Sequence, residues 1–187
     1  MGDEGVGKTS LVRRFVLSEF SERYVRTVGV VIHKRIVYLG PIGGRTYEAT
    51  LTIWDLIGRE EFASQYGNAY LANVAGVLAV CDVTRRETLE GLDSWLQRVR
   101  ASARVPAIVL ANKIDATDRI RVSHGELAAL CKRHGVSFLE TSARTGQNVG
   151  VAFSRLGEAA LRNALAARLP VVGAPEELAP AADRRTG

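Results

Sequence analysis

The sequence is poor in several residue types, and each scarcity narrows the possibilities. Among 187 residues there is one methionine, two cysteines, three histidines and four lysines. Cys81 and Cys131 lie far apart in the chain, so they read as reduced thiols in a cytosolic compartment, with a disulfide as the alternative. His33, His124 and His134 show no metal-ligand spacing, which removes support for a zinc-type enzyme. No apolar run reaches the roughly 20 residues that span a bilayer. The N-terminus has no basic segment ahead of an apolar stretch, so it is not a secretory signal. Charge of one sign is never concentrated. The net charge is +5, and the arginines are scattered or paired (Arg13-Arg14, Arg85-Arg86). This reads as a solvated surface rather than a nucleic-acid footprint. The expectation is a cytoplasmic, monomeric protein with no nucleic-acid partner.

What remains is ordinary globular material, 47% hydrophobic and 24% charged, in a length that suits one domain. Strand and helix signals alternate. Residues 9–18 carry Leu11, Val12, Phe15 and Val16 at helical spacing. Residues 30–39 and 46–54 alternate apolar and polar, with Tyr47, Ala49, Leu51 and Ile53 on one face. They flank Gly40-Pro41-Ile42-Gly43-Gly44 and predict a β-hairpin with a slightly long loop. Residues 74–81 and 106–111 are continuous apolar runs, as strands buried on both faces require. Between them, residues 86–103 predict a helix with a stripe of Leu89, Leu92, Leu96 and Val99. Ser123 and Glu126 form a capping box that opens a helix to about His134. A short strand over Val136–Glu140 and a helix over Val149–Arg168 complete the pattern. It implies an α/β fold, a mostly parallel sheet with helices on both faces. Residues 169–187 hold three of the five prolines and no periodicity, and read as a flexible tail after a domain of residues 1–168.

Two motifs carry chemistry. Gly2-Asp3-Glu4-Gly5-Val6-Gly7-Lys8-Thr9 fits the phosphate-loop pattern at every fixed position. Its glycines let successive backbone N–H groups face anionic oxygens. Lys8 reaches the β/γ-phosphates, Thr9 places a hydroxyl on Mg²⁺, and the helix that follows adds its positive end. The second motif, Asn112-Lys113-Ile114-Asp115, follows the buried run 106–111. A carboxylate there accepts two hydrogen bonds from guanine, a donor pair that adenine lacks. Two of the four lysines, Lys8 and Lys113, thus fall in these motifs while the chain holds 21 arginines. An ammonium is a compact point charge, which a guanidinium is not. Elsewhere the arginine bias, with abundant alanine, points to a GC-rich genome of prokaryotic type.

With these motifs the sequence resembles the Ras superfamily of small GTPases, most closely its Rab-like branch, from residue 2 to about 168. The resemblance implies a P-loop NTPase fold, the small G-domain, with one antiparallel hairpin strand. Asp55-Leu56-Ile57-Gly58 matches the family's D-x-x-G, so Asp55 would hold Mg²⁺ through a water and the Gly58 amide would touch the γ-phosphate. Tyr24-Val25-Arg26-Thr27-Val28-Gly29 resembles the first switch segment, where Thr27 completes the Mg²⁺ shell with GTP bound. Phe20 stands where relatives stack a ring on guanine, and Thr141-Ser142-Ala143-Arg144 matches the last guanine loop. The implied nucleotide contacts are Glu4, Gly5, Val6, Gly7, Lys8, Thr9, Ser10, Phe20, Tyr24, Thr27, Gly58, Asn112, Lys113, Asp115, Ser142, Ala143 and Arg144. The implied catalytic set is Lys8, Thr27, Gly58 and Arg59, with Thr9, Thr27 and Asp55 on the metal. The γ-phosphate would tether Thr27 and Gly58, and hydrolysis would release them. Effectors, exchange factors and GTPase-activating proteins would read segments near 20–30 and 55–70.

The departures from the family pattern set further expectations. Arg59 stands where relatives carry a glutamine that orients the attacking water. A guanidinium only donates hydrogen bonds, so slow hydrolysis is expected. The alternative is a nucleotide-binding scaffold with little or no turnover. Glu4 stands where many relatives have a small residue, and adds negative charge beside the γ-phosphate unless it turns to solvent or to an arginine. Asp115 speaks against an ATPase. No cysteine follows Cys131, so no prenyl anchor is expected. Val6 stands where a myristoylation signal wants Ser or Thr. Only Met1 precedes the loop, where a buried central strand is usual. Such a strand buries side chains worth roughly 1.5–3 kcal/mol each, against a net domain stability of about 5–15 kcal/mol. The expectation is a chain that starts inside the domain and lacks its first strand.

Overall fold

A computed structural model of the chain describes residues 1–21, 30–56, 71, 73–102 and 104–168. The expected tail over 169–187 lies outside the described residues. Helix α1 (Lys8–Leu17) starts directly after Gly7, buries Leu11, Val12 and Phe15, and ends at Ser18 in a left-handed conformation. A long antiparallel hairpin follows, β1 (Val30–Ile42) with β2 (Arg45–Leu56). Then come β3 (Val77–Asp82), α2 (Arg86–Ser102), β4 (Ala107–Asn112), a 3-10 turn at Thr117–Arg119, α3 (His124–His134), β5 (Ser137–Thr141) and α4 (Val149–Arg168). Strands β3, β4 and β5 pair in parallel, in that order.

The hairpin departs from the predicted loop. Gly40, Pro41 and Ile42 belong to β1, and the turn is only Gly43-Gly44, with φ 57° and 75°. Positive φ at both central residues gives the tight turn whose twist matches the strands. The register is irregular between Leu39 and Ile42. That irregularity accommodates Pro41, which has no N–H to give the ladder. Both Leu39 and Ile42 are buried, so packing extends the strand through a segment that composition alone assigns to a loop. The predicted alternation in β2 is present, with Tyr47, Ala49, Leu51 and Ile53 half-buried and their neighbours exposed.

The parallel sheet is sandwiched between helices. Ala79, Cys81, Val109 and Ala111 face α2 and α3, where they meet Leu89, Leu92, Leu96, Leu127, Leu130 and Cys131. Val80, Ile108 and Leu110 face α1 and α4, where they meet Leu11, Val12, Phe15, Val149, Ala152 and Phe153. Phe15 and Phe153 stack across the two helices with centroids 4.1 Å apart. Met1 lies along the edge of β3 away from β4: its ammonium donates to the Leu78 carbonyl at 2.7 Å and its carbonyl accepts from the Val80 N–H at 2.9 Å. Among the described residues no strand pairs β2 with β3. Cys81 and Cys131 are free and buried, and burial pushes their thiols up to about 12 and about 11. Both are therefore inert thiols, as expected of reduced core cysteines. Among the described residues no helix is long and apolar enough to cross a membrane.

The predicted capping box at the start of α3 is complete. The Ser123 hydroxyl accepts from the Glu126 N–H, and the Glu126 carboxylate accepts from the Ser123 N–H at 3.0 Å. Glu126 also pairs with Arg86, tying α3 to α2. Replacing Ser123 by Ala is expected to cost about 1 kcal/mol in urea unfolding. A loss below about 0.3 kcal/mol would show that the cap is redundant with packing.

Candidate functional site

Three loops converge at the C-terminal ends of β3, β4 and β5, where a parallel α/β sheet opens its ligand crevice. The first is the glycine-rich turn before α1. Gly7 has φ 101°, and a side chain there would meet the Asn112 amide nitrogen at 2.3 Å. Only glycine fits, because its bare backbone lies against Asn112. Lys8 arches back over the loop, and its Nζ donates to the carbonyls of Gly2 and Asp3 at 2.8 Å each. The Asp3 carboxylate points into the fold and accepts from the Trp95 indole at 3.0 Å. Burial pulls the Lys8 ammonium down to about 8, against opposing attraction from Asp55, Asp3 and Glu4. A desolvated cation of this kind is short of counter-charge, which an anion above the loop would supply.

Asp55, at the end of β2, is 3% exposed. Its Oδ2 accepts from the Thr9 hydroxyl at 2.6 Å, and its Oδ1 is buried with no hydrogen-bond partner among the described residues. An orphaned carboxylate oxygen beside a threonine hydroxyl is a hard-oxygen donor set that fits Mg²⁺, which binds through few protein ligands and completes its shell with water and phosphate. Among the described residues no cluster of three or more His, Cys, Asp or Glu offers another metal site.

The second and third loops are joined to the first by one side chain. Asn112 ends β4 and is 1% exposed. Its Nδ2 donates to the Val6 carbonyl at 2.9 Å. Its Oδ1 accepts from the Ala143 N–H at 3.2 Å and the Thr141 hydroxyl at 3.4 Å. Lys113, held at φ 71°, donates from Nζ to the Gly5 carbonyl at 2.8 Å and pairs with Asp82 at 2.6 Å. The Ser142 hydroxyl donates to Asp115 Oδ1 at 2.6 Å, which fixes the carboxylate against the last loop. Arg14 on α1 holds the same loop from the other side, donating to the carbonyls of Ala143 (2.8 Å) and Arg144 (2.6 Å). Its guanidinium also lies over the Phe20 ring, 5.8 Å from the centroid, so Phe20 flanks this crevice.

The structure therefore brings together Glu4 to Ser10, Phe20, Asp55, Asn112, Lys113, Asp115 and Ser142 to Arg144. Tyr24, Thr27, Gly58 and Arg59 lie outside the described residues, as do most of the segments near 20–30 and 55–70. Three contributors escaped the sequence reading: Arg14, Asp82 and Arg85. Asp82 carried a usable signal. It ends a buried parallel strand and stands opposite Asn112 in the ladder, the position where such sheets place functional groups.

Comparison with known proteins agrees with this geometry. The Ras family model matches residues 1–162. The chain is 35% identical over 158 residues to the Ras-related protein Rab-13 of Bos taurus, covering 83% of this chain and 75% of that protein. It is 34% identical over 158 residues to Rab-13 of Canis lupus familiaris, with the same coverage. Against the Ras-related protein Rab-27B of Homo sapiens it is 35% identical over 164 residues, again covering 83% and 75%. With the match extending from the first loop through most of α4, the chain belongs to the Ras family of small GTP-binding proteins.

Proposed function

We propose that this protein is a guanine-nucleotide switch that binds GTP or GDP with Mg²⁺ and hydrolyses GTP slowly. The observation that carries the reading is Asn112, whose amide spans from the phosphate loop at Val6 to the base loop at Ala143. It couples the two ends of one elongated ligand, a base and a polyphosphate. Lys8 and the N–H groups of residues 5–10 bind the phosphates, with the first turn of α1 adding its dipole. Asp115 accepts from the guanine N1–H and exocyclic amine, the Ala143 N–H would turn from Asn112 Oδ1 to the base oxygen when nucleotide binds, and Phe20 flanks the ring. Thr9, Thr27 and, through a water, Asp55 would hold Mg²⁺, which would neutralise phosphate charge. By the family resemblance Thr27 and Gly58 would contact the Mg²⁺ and the γ-phosphate, and Lys8 would stabilise charge on the transferring phosphoryl group.

Effectors, exchange factors and activating proteins would read the segments near 20–30 and 55–70. The outward face of the hairpin lies between those segments in sequence and exposes Ile32, Ile36 and Tyr38, an apolar surface suited to the same partners.

Arg59 sets the rate. A guanidinium cannot accept a proton from the attacking water, so the nucleophile is held less well than by an amide. Arg59→Gln is expected to raise single-turnover GTP hydrolysis on the order of 10-fold. A parent that is equally fast or faster removes Arg59 as the cause. The overall reading is tested by extracting the nucleotide that co-purifies with the chain and timing its hydrolysis. Guanine nucleotide with slow turnover is expected. Bound GTP with no turnover, even in Arg59→Gln and Glu4→Gly, favours the scaffold reading, and adenine nucleotide contradicts both.

A further inference from the structure

Beneath the phosphate loop two cations share one buried carboxylate. Asp82 is 1% exposed. Its Oδ1 accepts from the Thr84 N–H at 2.9 Å and hydroxyl at 2.7 Å. Its Oδ2 meets Lys113 Nζ at 2.6 Å and Arg85 Nε at 3.2 Å. Burial opposes ionisation of this carboxyl, but the hydrogen bonds from Lys113 and Thr84 outweigh it and hold Asp82 below the usual carboxylate range. Asp82 is therefore a fixed anion with two cations in defined places.

Each cation then grips the loop, and they grip consecutive peptides. Arg85 donates from its terminal nitrogen to the Glu4 carbonyl at 2.9 Å. Lys113 donates to the Gly5 carbonyl at 2.8 Å. In a planar trans peptide the carbonyl and the next N–H point in opposite directions. Holding the Glu4 carbonyl thus aims the Gly5 N–H, and holding the Gly5 carbonyl aims the Val6 N–H. Drawing both carbonyls toward one anchor turns both N–H groups to the opposite side. Gly5 permits this by its φ of 76°, and the outcome is a pair of adjacent N–H groups facing one way, an anion-binding nest.

We propose that Asp82 and Arg85 are positioning residues that pre-set the Gly5 and Val6 amides for a nucleoside di- or triphosphate. The assignment rests on the phosphate-loop reading above. Lys113 belongs to the N-K-x-D motif, whereas Asp82 and Arg85 belong to none of the motifs read from the sequence. Gly5 and Val6 precede the start of α1, whose first N–H groups would take the first phosphate, so the clamp is expected to act on the phosphates beyond it. It should therefore separate ligands that share a base but differ in phosphate number.

The test uses the full chain and its Arg85→Ala and Arg85→Lys variants, with Mg²⁺, titrated against GDP and against GMP. Arg85→Ala is expected to weaken GDP about 10-fold or more, the loss of one charge-assisted hydrogen bond, while GMP changes less than about twofold. Arg85→Lys, whose one nitrogen replaces the two that meet Asp82 and Glu4 separately, should recover only part of the loss. The ³¹P resonance of the bound β-phosphate should shift in Arg85→Ala. Equal losses for GDP and GMP would assign Arg85 a structural role and overturn the proposal, as would unchanged GDP affinity. Should the alanine variant fail to fold, the GDP-to-GMP ratio of Arg85→Lys decides alone. A parent chain that binds GDP no better than GMP would overturn the phosphate-loop reading itself, an outcome visible before any variant is made.

Discussion

Replacing Asp115 by Asn is expected to lower affinity for GDP by roughly 10³- to 10⁵-fold, the range for a hydrogen-bonding recognition group that is mismatched. Guanine presents two donors to this carboxylate, the ring N1–H and the exocyclic amine. An ionised carboxylate accepts both, and still accepts the Ser142 hydroxyl on Oδ1 at 2.6 Å. An asparagine amide accepts on one side only and sets an N–H against the exocyclic amine. The same change suits a purine that carries a carbonyl in place of that amine. Xanthosine diphosphate should therefore gain affinity while GDP loses it. Displacement of a fluorescent guanine nucleotide by GDP, xanthosine diphosphate and ADP gives all three values. A GDP loss below about tenfold would mean that Asp115 does not face the base.

The largest effect on stability is expected at Asn112. Truncation to Ala removes the hydrogen bonds to Val6, Ala143 and Thr141 in one step. It leaves the Val6 carbonyl and the Ala143 N–H buried without partners, each costing about 1–3 kcal/mol. The sum, about 2–6 kcal/mol, is a large fraction of a domain's net stability. GDP binding should fall as well, because the phosphate loop and the base loop are no longer held in register. Asn112→Asp makes a useful partner variant. It keeps an acceptor for the Ala143 N–H but turns a carboxylate oxygen on the Val6 carbonyl. Urea unfolding of both variants, with GDP affinity alongside, checks the claim. A cost below about 1 kcal/mol for the alanine variant would show that water or a neighbouring group replaces the amide.

Much of this architecture is written in local patterns. The buried strands β3 and β4 are continuous apolar runs because helices cover both their faces. The capping box of α3 and the bounds of α4 follow from short-range spacing. The phosphate loop and the N-K-x-D loop are legible because their chemistry fixes residue types at fixed offsets. What stayed hidden depends on packing or on contacts distant in sequence. Periodicity cannot register an irregularity, so Gly40, Pro41 and Ile42 read as loop while the core holds them in β1. Arg85 looked like half of a solvated arginine pair. Its role exists only because β3 delivers Asp82 beneath a loop some 80 residues earlier. Arg14, on the other hand, sits in a helix read correctly, yet its grip on Ala143 and Arg144 spans about 130 residues.

The central claim is that three loops around Asn112 form one site for a guanine nucleotide. Titrating nucleotide-free protein with GDP and with ADP, with and without Mg²⁺, tests it most directly. The account predicts that GDP binds more tightly than ADP by about 10³-fold or more, and that removing Mg²⁺ weakens GDP, because no cation then offsets the negative charge of the phosphates and of Asp55. Equal affinity for the two nucleotides, or no dependence on Mg²⁺, would contradict it.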